Sequence, residues 1–253
     1  FDEGLAAVNG DGKVTVSLFN TNTSKRVDAT FMAVNGRAAV KGDHAIPGVS
    51  GTGSPIKLEF LDPAGAGTGE LFPTGALQET FDVPGIGPVR GSVVDAANLC
   101  CFLRADDLGL TGTEMPTQLD RNEEMIKVMK TISIEICKRI IARKGPDTKV
   151  RIGLIGFVSP PQPATTLSNE PVTENDANVT ARMYSSLQPH RALPLTSSLC
   201  MATAAKIEGT TGNELAKGEI KDSIRIATPS GVLTVSANVN SAGLETTVAL
   251  ATG

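Results

Sequence analysis

Arg182-Met-Tyr-Ser-Ser-Leu-Gln-Pro-His190-Arg191-Ala-Leu-Pro-Leu-Thr196-Ser197-Ser198-Leu-Cys200-Met-Ala-Thr-Ala-Ala-Lys206 holds the plan of this chain. Its first part continues from Val179 as a strand that runs to Ser186. Its last part, Thr196 to Lys206, contains no proline or glycine and reads as a helix. Thr196-Ser197-Ser198 offers hydroxyls to cap that helix. Ala202, Ala204 and Ala205 keep it slim enough to be buried on most sides. A strand feeding a thin, apolar helix predicts a β-rich lobe packed around a buried helix.

The neighbouring sequence extends that lobe. Asp120 to Lys144 places Met125, Val128, Met129, Ile132, Ile136 and Ile140 at helical spacing. Asp120, with Glu123 three residues on, fits an N-cap and capping-box partner, and Gly145-Pro146 stops the helix. Lys149–Val158, Ile224–Thr228, Val232–Val239 and Thr246–Ala251 read as strands. Toward the N-terminus, Lys13–Phe19 alternates and is followed by a turn at Asn20–Ser24 and a second strand at Arg26–Val34. Asn35-Gly36 makes a hairpin-type turn, and Lys57–Leu61, Gly91–Asp95 and Leu99–Leu103 are further strands. The chain is therefore expected to be α+β, with residues 1–90 the remainder of a first β-rich lobe and residues 91–253 a second lobe. The first lobe lacks a buried helix of its own. Phe1–Val8 reads like the end of a helix and the first residue is not Met, so the chain is expected to start inside a longer protein.

Composition narrows the function. With 40% hydrophobic and 20% charged residues the chain can bury a core. Its 23 basic and 27 acidic residues give −4, which argues against a nucleic-acid binder. No apolar run is long enough for a membrane span, and no signal peptide is visible. Cys100, Cys101, Cys137 and Cys200 form no Cys-x-x-Cys pair, and His44 and His190 are the only histidines. A cysteine-rich zinc site is not expected, and scattered thiols fit a reducing, cytoplasmic setting. Cys100 and Cys101 are adjacent on one strand, so one of them is expected to point outward.

The stretch around His190 is the richest in chemistry. A helix start offers unpaired N–H groups that bind carboxylate, with Arg182, Ser185, His190 and Arg191 close in sequence to Thr196 and Ser197. The plainer alternative is a capped helix with an ordinary histidine. Cys200, in the first turns of that helix, is either a thiol activated by the helix end or a small buried residue. Gly48-Val-Ser-Gly-Thr-Gly-Ser-Pro-Ile56 is either a turn or an anion contact, and it is neither a Walker loop nor a dinucleotide fingerprint. The glycine-rich Asp62–Gly75 loop is either a lid or wall of a cleft, or a surface connection. No Gly-x-Ser-x-Gly elbow supports a serine hydrolase.

A series of strings resembles one family across nearly the whole chain. They are Phe19-Asn-Thr-Asn-Thr-Ser-Lys25, Gly48 to Ile56, Asp62-Pro-Ala-Gly65 with Thr68-Gly69 and Pro73-Thr-Gly75, and Val94-Asp-Ala-Ala-Asn98. Ala105 to Glu114, Arg182-Met183 with Ser185 and His190, and Pro229-Ser-Gly231 follow in order. The series resembles the 2-methylaconitate cis–trans isomerases (PrpF proteins) and their aconitate isomerase and oxalomesaconate tautomerase relatives. The resemblance implies a diaminopimelate-epimerase-like fold of two pseudo-symmetric lobes, each around a central helix, with the site between them. It also implies a catalytic Lys and Cys in segments upstream of Phe1, so this segment alone is expected to be inactive. The chain departs from the family pattern at Thr196-Ser197-Ser198 and at Gln188.

The expected function is isomerisation of the double bond of a small unsaturated di- or tricarboxylic acid, by proton transfer without cofactor or metal. Thr196, Ser197, Arg182, Ser185 and His190 would bind the carboxylate, with Thr52 and Gly53 facing the cleft from the first lobe. The expected partner is the acid substrate, with no nucleic acid or membrane, and a homo-oligomer is compatible with this. The alternatives are an oxalomesaconate tautomerase or methylitaconate isomerase, and, in another class, a non-catalytic carboxylate-binding protein.

Overall fold

The computed structural model describes residues 11–239 and 249–251. The reading of Phe1–Val8 lies outside the described residues, as does the start of the Thr246–Ala251 strand. β1 (Gly12–Asn20), β2 (Lys25–Val34), the short β3 (Arg37–Ala38) and β4 (Lys57–Phe60) come first. β5 (Glu79–Val83), β6 (Gly87–Ala96) and β7 (Asn98–Arg104) form a meander. Then come α1 (Pro116–Leu119), α2 (Glu123–Lys144) and β8 (Leu154–Ser159). The two-residue β9 (Ala164–Thr165) and β10 (Pro171–Val172) pair with each other. β11 (Val179–Ser185) and β12 (Gln188–Pro189) lead into α3 (Leu195–Ala205) and α4 (Thr211–Leu215). β13 (Ser223–Thr228), β14 (Gly231–Ser236) and β15 (Ala249–Ala251) close the series.

One sheet runs β1-β2-β4-β15-β14-β13-β11-β8-β7-β6-β5. Its pairs are antiparallel except β7 with β8 and β11 with β13. Parallel neighbours need a crossover, and each of these two pairs has a helix in its connection. α2 connects β7 to β8 and covers one face, and α3 connects β11 to β13 and covers the other. The strands between them are buried on both sides. On β11, Val179, Ala181 and Met183 face α3, while Tyr184 faces α2. The position between residues 90 and 91 falls inside β6.

The stripe Met125, Val128, Met129, Ile132, Ile136 and Ile140 is buried in full, as its period requires. The N-cap of α2 is Asn122, not Asp120: the Asn122 side chain accepts from the Met125 N–H at 2.9 Å, because α1 occupies the residues up to Leu119. Cys100 and Cys101 are both buried, one in each core, because helices cover both faces where a one-sided sheet was expected. Lys149–Val158 pairs only from Leu154 on. β5 is a strand that the sequence pattern did not reveal. At the other end of the sheet, Leu18, Phe19, Met32 and Val34 are exposed on β1 and β2.

Tyr184 is fully buried against α2, and its hydroxyl has no hydrogen-bond partner among the described residues. An unpaired buried hydroxyl costs about 1–3 kcal/mol. Tyr184→Phe is therefore expected to raise stability by about 1 kcal/mol, or roughly 2–4 °C in Tm for a chain of this size. A fall of similar size in a thermal melt would show that the hydroxyl is satisfied in solution.

Candidate functional site

The site forms where three segments converge. The loop Ile46–Val49 meets the connection from His190 into α3 and the turn between β13 and β14. The approach is close: a Cβ on Gly48 would lie 2.6 Å from the Ser230 Cβ, and one on Gly231 would lie 2.9 Å from the Pro47 Cβ. Both glycines also have positive φ, so the contact depends on their having no side chain. Ser230 Oγ donates to the Arg191 carbonyl at 2.7 Å and ties the turn to the connection. Between them lies a cleft of 380 Å³ that includes His190, Arg191, Ser198 and Ser230.

α3 starts one residue earlier than its hydroxyls suggested. Its N-cap is Pro194, and no side chain caps it, so Thr196-Ser197-Ser198 lies inside the first turn rather than before it. Ser198 N–H bonds the Pro194 carbonyl at 3.0 Å, and Ser198 Oγ donates to the Leu195 carbonyl at 2.7 Å. The three N–H groups before Ser198 open the helix. Ser197 is fully buried among them, and its hydroxyl has no partner among the described residues; Leu195 and Ser198 line the cleft, whereas Thr196 and Ser197 do not. Thr196 Oγ1 accepts from Asn98 Nδ2 at 3.3 Å. His190 Nδ1 accepts from the Ala192 N–H at 3.1 Å, so a neutral ring carries its proton on Nε2.

Other expected site residues lie elsewhere. Arg182 is 2% exposed and sits on the α2 face of β11, opposite α3. Its guanidinium donates to the carbonyls of Glu114 at 2.7 Å and Ala181 at 2.9 Å. Burial pulls its pKa down to about 10, against the pull of the Glu114 carboxylate. It acts as a strut between segments, because strand alternation turns it away from the helix start. Ser185 has the parity that faces α3, but it ends β11 opposite Gln188 and does not line the cleft. Thr52 Oγ1 donates to the Gly42 carbonyl, and Gly53 pairs with His44. These two close the base of the loop whose tip, Ile46–Val49, reaches the cleft. Ser198, Ser230 and Asn98 were not singled out as site residues. The strings Pro229-Ser-Gly231 and Val94–Asn98 held two of them without indicating a role.

The Asp62–Gly75 loop is fastened to β6 and α2, and none of its residues lines the cleft. Asp95 is fully buried, and its carboxylate accepts from Gly67 N–H at 2.9 Å, Thr68 N–H at 2.6 Å and Thr68 Oγ1 at 2.7 Å. Burial raises its pKa above the ordinary carboxylate value, while these bonds pull it down. Gly65 N–H and Ala97 N–H add backbone ties, and Lys144 reaches the Thr68 carbonyl at 2.9 Å. Glu70 is held below its ordinary pKa first by Lys144 and then by Arg143. Cys200 donates to the Val94 carbonyl at 3.3 Å, and burial raises its thiol pKa, so the helix end does not activate it.

The profile of the PrpF protein family matches residues 1–252. The chain belongs to this family. Over 238 residues the PrpF chain is 31% identical to the 2-methyl-aconitate isomerase of Shewanella oneidensis, covering 92% of itself and 60% of that protein. It superposes on a solved methylitaconate-delta-isomerase with a TM-score of 0.82 at 30% identity, covering 99% of itself and 66% of that chain. A hydroxyproline epimerase from Agrobacterium vitis shares the fold alone, with a TM-score of 0.56 at 13% identity, 98% of this chain and 58% of that one being covered. The PrpF chain thus spans less than two thirds of these proteins' lengths. Among its described residues no helix is long and apolar enough to cross a membrane.

Proposed function

We propose that this chain supplies the carboxylate-holding half of an isomerase acting on the double bond of a small unsaturated di- or tricarboxylic acid of the 2-methylaconitate or methylitaconate kind. The observation that carries this is the uncapped start of α3, where Leu195 and Ser198 line the cleft together with His190 and the buried Ser197 hydroxyl has no partner among the described residues. Unpaired donors at the positive end of a helix attract a carboxylate and the negative charge that grows on it in an enolate. In this reading a base removes a proton from the carbon next to the alkene. The electron pair spreads through the alkene into the carboxylate as a dienolate. The N–H groups of α3 and the Ser197 hydroxyl hold that charge while an acid returns the proton to a different carbon. The Lys and Cys that the resemblance implies would serve as this base and acid. Two lobes dividing near residue 90, a cytoplasmic address and chemistry without a cofactor are part of the same proposal. They rest on the pattern of elements, the four thiols and the resemblance.

The test is steady-state kinetics of the full-length protein with 2-methylaconitate, aconitate and methylitaconate, before and after dialysis against a chelator. Ser197→Ala and His190→Gln are each expected to lower kcat/KM about 10- to 100-fold, the size of one lost hydrogen bond to a charged group. Wild-type kcat/KM in both variants on every acid that is turned over would overturn the site. Activity abolished by the chelator and restored by a metal would overturn the cofactor-free mechanism.

A further inference from the structure

On the face of the sheet away from the cleft, α2 leaves a groove beside β8 and the turn between β11 and β12. Its volume is 430 Å³, in the range of small-molecule sites. Its walls are apolar: Ile134, Ile141, Val150, Ile152 and Leu187. Ile134 is 48% exposed in the middle of α2. Lys130, Lys138 and Arg151 stand around these walls. None of the three side chains makes an ion pair or hydrogen bond among the described residues, whereas Arg139, Arg143 and Lys144 of the same helix are all paired with carboxylates. No described residue lining the groove carries a carboxylate. Within a chain of net charge −4, this is a local cationic rim around an apolar floor.

The turn that forms one wall has an unusual backbone. Ser186 and Leu187 have φ of 50° and 68°, values that side chains disfavour and that hairpin turns usually assign to Asn and Gly. Ser186 N–H bonds the Gly153 carbonyl at 2.7 Å and fastens the turn over the groove. Leu187 packs against the α2-side core and lines the groove, and it does not line the cleft.

We propose that this groove binds an amphipathic anion, an alkyl chain ending in a carboxylate or a phosphate. The alkyl chain would lie on Ile134, Ile152 and Leu187, and the head would sit among Lys130, Lys138 and Arg151. Charge complementarity selects an anion, and the volume selects a small molecule. A protein partner would need on the order of 800 Å² per side, far more than these few side chains offer.

Cys137 provides the test, because it lines the groove and is half-buried while Cys100, Cys101 and Cys200 are buried. The alkylation rate of the Cys137 peptide in the native full-length protein is followed by mass spectrometry. Decanoate, monodecyl phosphate and decanol are added in parallel, each below its aggregation concentration. An anion at about 80% occupancy slows the reaction about fivefold, because only the empty fraction reacts. Decanoate or decyl phosphate acting alone assigns the head group. Lys138→Glu with Arg151→Glu, both on the surface, raises the dissociation constant about tenfold or more. Three results would overturn the proposal: protection by decanol equal to that by the anions, protection unchanged by the charge reversal, or protection that follows protein concentration without ligand. The last would make the groove an interface between copies of the chain.

Discussion

Gly156→Ala is expected to leave no folded protein. Gly156 lies opposite Met183 in the β8–β11 pair, between the two cores. A Cβ there would lie 2.1 Å from the Arg182 carbonyl oxygen and 2.9 Å from the Met183 Cα. Both are backbone atoms, so no rotamer relieves the clash. The strands would have to part where six residue pairs hold them together. Gly156 is not among the positive-φ residues, so the demand here is close approach alone. The cost should exceed about 4 kcal/mol, a large part of the stability of an ordinary domain. Expression in the soluble fraction and far-UV circular dichroism would read this. Gly153→Ala, whose Cβ would meet only the Ser186 Oγ at 3.8 Å, serves as the tolerated control. A Gly156→Ala protein melting within a few degrees of wild type would show that β8 and β11 lie farther apart.

The second large effect is expected at Asp95. Asp95→Ala removes the acceptor for three donors of Gly67 and Thr68 and frees the loop that it fastens. Hydrogen bonds to a charged acceptor contribute about 1.5–3 kcal/mol each, and desolvation of the carboxylate offsets part of the sum. A net loss of about 3 kcal/mol is expected, or roughly 6–12 °C in Tm for a chain of this length. Asp95→Asn keeps one acceptor oxygen and sheds the charge, so it should lose less. Limited proteolysis between residues 62 and 75 should speed up in Asp95→Ala and much less in Asp95→Asn. Unchanged cleavage in both variants would mean that the backbone ties of Gly65 and Ala97 suffice.

Much of the fold was legible because its signals are local. The α2 stripe, the alternation of β1 and the alanines of α3 each follow from a period or a side-chain size. One of Cys100 and Cys101 was expected to face outward, and both are buried, because burial on a second face is a tertiary fact: nothing near these residues says that helices will cover both sides. The site was legible in one half. The stretch from His190 to Ser198 supplies residues that line the candidate cleft, whereas strand parity turns Arg182 to the other face of the sheet, away from that cleft. The tip of the 46–49 loop, rather than Thr52 and Gly53, reaches the cleft because it meets Ser230, about 180 residues away in sequence, and a pairing across that distance leaves no local mark.

The short β15 joins β4 on one side to β14 on the other. During synthesis it follows β4 by about 190 residues, or roughly 10–40 s at ribosomal speeds of about 5–20 residues per second. Throughout that interval the β4 edge waits for its neighbour, exposed to other nascent chains. The Lys57–Glu59 ion pair puts charge on that strand, and a charged edge is a poor template for foreign strands.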